Sequence, residues 1–254
     1  METTTLAKEM EQHTYGIMND VEDKHWWFVG RRAILESFLQ QTTDQLRGAN
    51  DELRILDVGC GTGANLEMLK QYGEAEGVDV SDDALEFCRK KGLKVHKGLA
   101  EELPFEDESF DLVTALDVVE HLDDDVAGLK EMHRILKKDG KTLIFVPAFM
   151  WLWGVQDDIS NHRIRYTRKE IVERLEKAGF EIERATYANI TFFAPILAGR
   201  VIMKLTGIKP ESENNVNVSA LNGFFGKIFS SEKYWLKKAN FPFGVSIVIV
   251  ARKK

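Results

Sequence analysis

The chain has 254 residues but only two cysteines, Cys60 and Cys88, and five prolines. Two thiols supply no disulfide framework. An apolar core must therefore hold the fold, and a chain that is 44% hydrophobic can build one as a single α/β unit with a cap. Basic residues are outnumbered, 34 Lys and Arg against 41 Asp and Glu, for a net charge of −7. That balance argues against nucleic acid as a partner, because phosphate binding needs a basic face. No apolar run reaches the ~18 residues of a membrane span. The nearest, residues 190–203, is interrupted by Pro195 and Arg200. Residues 1–10 are polar and charged and do not read as a signal peptide. There is no internal repeat, and the expected location is cytoplasmic.

The stretch Ile55-Leu56-Asp57-Val58-Gly59-Cys60-Gly61-Thr62-Gly63 organises what is there. An apolar run with one acid reads as a short buried strand. Three glycines at alternate positions then make a tight turn, where the backbone needs positive φ or a ligand needs close approach. Residues 64–72 read as the following helix. Strand, glycine turn and helix bring backbone N–H groups to a ligand in Rossmann-like sheets. The dinucleotide fingerprint is G-x-G-x-x-G; this turn is one residue shorter and has Asp57 two places before its first glycine. A carboxylate there suits an ammonium group better than a phosphate. Asp79 closes a second strand at residues 74–79, about 20 residues beyond the turn, where its two acceptor oxygens match a ribose diol.

Further strands are expected at residues 93–98, 110–116, 141–146, 180–188 and 245–251. Asp139-Gly140 reads as the turn before the fifth. Ser81 reads as an N-cap, and Thr167-Arg168-Lys169-Glu170 as a capping box that starts a helix ending at Gly179. Residues 126–136 have helical spacing. The alternation, followed by a late strand, predicts an α/β fold: a mostly parallel Rossmann-like sheet with an antiparallel last strand. Residues 1–50 read as a helical lid. Residues 51–254 form the main domain, with inserts around 148–166 and 190–240, and residues 209–217 are a polar connection.

The glycine turn, then Gly77-Val78-Asp79-Val80-Ser81, Glu101-Glu102-Leu103-Pro104-Phe105, Ser109-Phe110-Asp111-Leu112-Val113 and Asp117-Val118-Val119-Glu120-His121-Leu122 follow in one order. Over about residues 53–147 this resembles the class I S-adenosylmethionine-dependent methyltransferases, closest to the small-molecule branch that includes quinone-biosynthesis enzymes. The resemblance implies a seven-stranded sheet and S-adenosylmethionine as cofactor, with S-adenosylhomocysteine as product. It also implies methyl transfer to an oxygen, nitrogen or carbon of a small molecule, such as a sugar or an isoprenoid-linked compound. Asp57, Gly59, Cys60, Gly61 and Gly63 would surround the methionine moiety, and Asp79 with Val80 the ribose. Ala100 and Glu101 would meet the adenine, because Leu99 stands where relatives often carry an acid. Leu116 and Asp117 would face the cofactor. Trp27 and Arg31 belong to His25-Trp26-Trp27-Phe28-Val29-Gly30-Arg31-Arg32, a segment resembling the N-terminus of a subset of these enzymes. It reads as packing and as a lid whose arginine meets the methionine carboxylate.

Methyl transfer from a sulfonium needs alignment, exclusion of water and, for some acceptors, removal of a proton. His121 and His162 are the candidate bases, with Asp157 to orient His162 and Tyr166 in the same insert. Asp117, Glu120, His121 and His162 also have the residue types of a metal site, but the reading adopted is no metal. Phe192, Phe193, Phe224, Phe225, Phe229, Tyr234 and Trp235, interleaved with Lys227, Lys233, Lys237 and Lys238, read as a cap or homodimer interface, or as a peripheral membrane contact. Two rivals stay open: an NAD-dependent oxidoreductase on a Rossmann sheet, and a non-catalytic cofactor-binding or membrane-associated scaffold.

Overall fold

A computed structural model describes residues 21–47, 52–207 and 219–254, together with Gly16 and Asn19. The polar connection at 209–217 and the helical reading around Tyr15 and Met18 fall outside the described residues. The strands are β1 (Arg54–Val58), β2 (Glu74–Asp79), β3 (Val95–Lys97), β4 (Phe110–Leu116), β5 (Leu136–Pro147), β6 (Phe180–Ala188) and β7 (Ser246–Lys253). The helices are α1 (Trp26–Leu46), α2 (Ala64–Leu69), α3 (Asp82–Lys90), α4 (Asp125–Ile135), α5 (Val155–Ile159), α6 (Arg168–Lys177), α7 (Phe193–Thr206) and α8 (Ser219–Leu236).

The seven strands form one sheet in the order β3-β2-β1-β4-β5-β7-β6. β7 runs antiparallel to both β5 and β6, and the other pairings are parallel. β4, FDLVTAL, is buried along its whole length, as a parallel strand covered on both faces must be. Alternate residues feed two apolar layers. Leu56, Val58, Val113, Ile144 and Ile249 meet Leu129 and Met132 of α4 and Ile171 of α6. Ile55, Leu112, Leu143, Phe145 and Val248 meet Ile34, Leu35, Phe38 and Leu39 of α1, Leu66 of α2, Leu85 of α3 and Phe229 of α8. The N-terminal helix thus shares its apolar cluster with the sheet.

Local chemistry sets most boundaries. Ser81 Oγ accepts from Ala84 N, and Thr167 and Glu170 make the reciprocal capping box. Gly179, with φ +104°, ends the α6 turn. Three expectations shift. The helix after the glycine turn stops at Leu69, because Gln71 N and Tyr72 N turn back to Met68 O and Leu69 O. β3 shrinks to three residues at the sheet edge, where it has a single neighbour, β2. β5 begins at Leu136: Asp139 takes a positive φ of 63°, and the pairing with β4 shifts register between Leu136 and Lys141, so the expected turn is an irregularity inside the strand.

An aromatic seam joins α1 to α8. Trp26 lies 4.5 Å from Phe192 between ring centroids and 6.1 Å from Phe229, and Trp27 lies 5.5 Å from Phe229. The helices approach closely at Gly30, where any Cβ would fall 2.3 Å from the Phe229 ring. Phe229→Ala removes the centre of this seam. It is expected to lower unfolding free energy by about 3–5 kcal/mol, read from urea unfolding.

Candidate active site

Parallel strands end on one edge, and β1, β2, β4 and β5 bring their carboxyl ends together there. At the end of β1 the turn has Gly59 at φ +66°, Gly61 at +53° and Gly63 at +94°. A Cβ at Gly59 would strike Val118 at 2.4 Å and one at Gly63 would strike Leu93 at 2.5 Å, whereas one at Gly61 meets nothing within 4 Å. Two of the glycines are needed for packing, and Gly61 borders open space. The turn is anchored by Gly59 N and Cys60 N on Val78 O. Gly61 N donates to Asp79 Oδ2 and Ser81 N to Asp79 Oδ1, both at 2.9 Å. Val80, next to Asp79, is half-buried. Cys60 is buried in the turn; its hydrogen bond with Cys88, and burial, push its thiol far up. The side chain fills space and is no nucleophile.

Asp57 is buried beneath the turn. Its Oδ1 accepts from Thr114 Oγ1 at 2.6 Å, and its Oδ2 has no hydrogen-bond partner. Burial raises this carboxyl to about 7, against the pull of Thr114 and Arg31. At the end of β4, Leu116 is buried, and Asp117 sits at φ +61° with its N–H on Phe145 O. Arg31 reaches this point from α1. Its Nη2 lies 2.7 Å from Asp117 Oδ2, its Nη1 donates to Asn65 Oδ1 at 3.3 Å, and the guanidinium lies over the Phe145 ring. Arg31, expected at the methionine carboxylate, is thus paired with a protein carboxylate and spans from β4 to α2. Arg32 pairs with Asp23. Glu22, which no motif marked, accepts a hydrogen bond from Thr62 Oγ1 and brings the segment before α1 onto the turn. Ala100 packs at the edge of the core, and Glu101 accepts from Asp123 N at 3.2 Å.

The second cluster lies in the loops after β4 and β5. His162 Nδ1 is 2.8 Å from Asp157 Oδ1, and its Nε2 is 3.9 Å from Glu120 Oε1. The His121 ring stands edge-on to the His162 ring, with centroids 4.8 Å apart. Asp157 is fully buried: Arg165 Nε donates to its Oδ1, Gly154 N to its Oδ2, and Arg200 of α7 pairs with Oδ2 at 3.6 Å. Burial alone would raise Asp157, but the His162 hydrogen bond and the Arg165 charge hold it at about 2, so it is ionised at neutral pH. Glu120 is the opposite case. Burial first, and then the Asp117 charge, keep it well above the ordinary carboxylate range, and neither of its side-chain oxygens has a hydrogen-bond partner. Burial and the His162 charge lower His121 to about 3.

Tyr166 differs from the expectation. It is fully buried, and its hydroxyl donates to Asp125 Oδ2 at 2.9 Å, with Val119 O at 3.3 Å. Burial, then Asp125, raise its phenol. A phenol held this way braces α4 against β5 and is removed from the acid/base set. Arg200, which sequence reasoning treated only as an interruption of an apolar run, enters the Asp157 cluster. Its place as the one charged residue between Arg184 and Lys204, inside an otherwise apolar helical run, was the available signal.

A family model described as a methyltransferase domain matches residues 56–144. A SAM-dependent methyltransferase structure from Thermotoga maritima superposes with a TM-score of 0.59 at 25% identity, covering 97% of this chain and all of that one. Residues 56–144 are a methyltransferase domain, carried on the sheet of the S-adenosylmethionine-dependent methyltransferase fold. An uncharacterised protein of Methanocaldococcus jannaschii is 29% identical over 172 residues, 65% of this chain and 80% of that protein. A demethylmenaquinone methyltransferase of Chlorobaculum parvum is 39% identical over 100 residues, 38% of this chain and 42% of that enzyme. The match to the latter therefore spans less than half of its length. The methyltransferase cofactor fits the edge described: the unpartnered Asp57 Oδ2 suits an ammonium group, and the open side of Gly61 leaves room for a ligand.

Two pH effects are expected. An ammonium group near Asp57 favours its ionised form, so binding below pH 7 expels a proton. Affinity for S-adenosylhomocysteine should rise with pH, by at most about tenfold per unit, and level off above about 7, where Asp57 is already ionised. Calorimetric titration across that range checks it, and Asp57→Asn should flatten the profile. His121 is held near 3, against 6.5 when free, so between these values the unfolded chain binds the extra proton. Stability is therefore complete above 6.5 and falls as pH drops towards 3, by up to about 1.4 kcal/mol per pH unit from this group. His121→Gln should make the acid limb of the thermal midpoint shallower.

Proposed function

We propose that this methyltransferase methylates an isoprenoid-linked small molecule of the quinol type, with His162 as the base that accepts the acceptor's proton. The observation that carries the reading is the pair of buried Asp157 and half-buried His162, set in the insert after β5 beside Glu120 and His121. The demethylmenaquinone methyltransferase relative supports the acceptor class.

S-adenosylmethionine, when bound, supplies an electrophilic methyl carbon on a positively charged sulfur. Asp57 would hold its amino group, Asp79 with Val80 its ribose, and Ala100 and Glu101 its adenine, with the glycine turn in close backbone contact. Trp27 and Arg31 in α1 would cover the site and exclude water. Asp157 holds the His162 Nδ1 proton, which leaves Nε2 with the lone pair to take a proton from an acceptor hydroxyl. The Asp157 carboxylate then stabilises the imidazolium. Proton removal by His162 would raise the electron density on the acceptor oxygen, or on a ring carbon conjugated with it, the atom to which S-adenosylmethionine would supply its methyl group.

The NAD-dependent reading is not favoured: the short glycine turn and the family match both point away from a dinucleotide. Isothermal titration with NAD⁺ is expected to give no binding heat, while S-adenosylhomocysteine binds.

Asp79→Ala should weaken S-adenosylhomocysteine at least about tenfold, the loss of one or two hydrogen bonds to a charged group. His162→Ala should keep that affinity. It should lower kcat for methyl transfer to a short-chain demethylmenaquinone by about 10²–10⁴-fold, measured with methyl-labelled cofactor. An unchanged kcat would make His162 structural. No transfer by the wild type, with the cofactor bound, would exclude the acceptor class.

A further inference from the structure

α7 is apolar and carries no buried residue: FAPILAGRVIMKLT lies on the molecule with every side chain at least partly open. Ala194, Ala198, Val201, Ile202 and Leu205 are all exposed and fall at helical spacing on one stripe, with Leu205 80% exposed. α8 presents a second stripe. Its inner face holds Phe229 and Leu236 in the core, while Phe224, Lys227, Tyr234 and Trp235 face outward, Trp235 at 68%.

Charge distinguishes this region from the rest of an acidic chain. Lys204, Lys227, Lys237 and Lys238 are exposed and Lys233 is half-buried. The one carboxylate in the two helices, Glu232, is 1% exposed and is occupied by Asn189 N, Thr191 N and Thr191 Oγ1. Exposed aromatics and aliphatics ringed by lysines, with no exposed acid among the described residues of the two helices, match an anionic bilayer surface. A second copy of the chain fits worse, because a two-fold interface would set lysines against lysines.

We propose that the outer faces of α7 and α8 dock on the surface of an anionic lipid bilayer. The proposal goes beyond methyl transfer and does not depend on it, but it gives an isoprenoid-linked acceptor a route. Phe193, which opens α7, packs against Phe243 and Trp151, both exposed, so the apolar surface continues onto the insert that carries His162. Arg200 of α7 ties the same helix to Asp157.

The test is co-sedimentation of the full chain with vesicles of phosphatidylcholine alone, or of phosphatidylcholine mixed with phosphatidylglycerol. The wild type should pellet with the mixed vesicles, release as salt is raised, and shift its tryptophan emission to the blue. Ile202→Asp with Leu205→Asp should abolish pelleting while S-adenosylhomocysteine affinity stays unchanged, which reports an intact fold. If that pair does not fold, Ile202→Ser with Leu205→Ser replaces it. Lys227→Gln and Lys238→Gln should each weaken binding about fivefold. Equal binding to neutral vesicles, retention by the Asp pair, or no binding by the wild type overturns the proposal. A wild-type dimer that the Asp pair splits, with no vesicle binding, overturns it in favour of a second copy. The homocysteine titration and the vesicle assay read different surfaces, so either reading can fail alone.

Discussion

Parallel strands leave their carboxyl ends on one edge of a sheet, and loops at that edge must satisfy backbone groups that no further strand can take. In this chain the glycine turn after β1 bends back so that Gly59 N and Cys60 N meet Val78 O and Gly61 N meets Asp79. That closure sets two carboxylates, Asp57 and Asp79, on either side of the turn. It also presses Val118, just after β4, against Gly59. The cofactor edge and the start of the Glu120-His121 segment are therefore held by the same few contacts.

Two arginines, Arg31 buried and Arg200 half-buried, then connect what the sheet edge positions. Arg31 carries charge from α1 to Asp117, and Arg200 carries it from α7 to Asp157. Buried charges persist only when paired, so each ties a covering helix to an acid at the site. The two ends of the covering layer meet in the seam of Trp26, Trp27, Phe192 and Phe229. A layer built this way joins the Asp57 end of the sheet edge to the Asp157 cluster through packed side chains.

The acidic groups show how environment assigns roles to like residues. Asp57 is raised by burial despite one hydrogen bond, Glu120 is raised by burial and the Asp117 charge, and Asp157, also buried, is lowered by His162 and Arg165. Composition cannot separate these three carboxylates. Their differences come from which cations and donors the fold brings within reach.

Much of the scaffold was legible in the chain itself. The glycine turn, the Ser81 cap, the Thr167 capping box and the all-apolar β4 depend on neighbours a few residues away, so local spacing reads them. The Asp157–His162 pairing also lies within one short loop. What needed the tertiary structure were pairings across long separations: Arg31 with Asp117, Thr62 with Glu22, Arg200 with Asp157, and Tyr166 with Asp125. The tyrosine shows the difference most directly, since its place in a polar insert suggested chemistry and its burial against α4 assigns it to bracing. Local spacing along the chain specifies the sheet, the glycine turn and the types of residue available near it. Only the tertiary structure decided which charges meet and which apolar faces stay uncovered, because both depend on contacts between elements that no local pattern records.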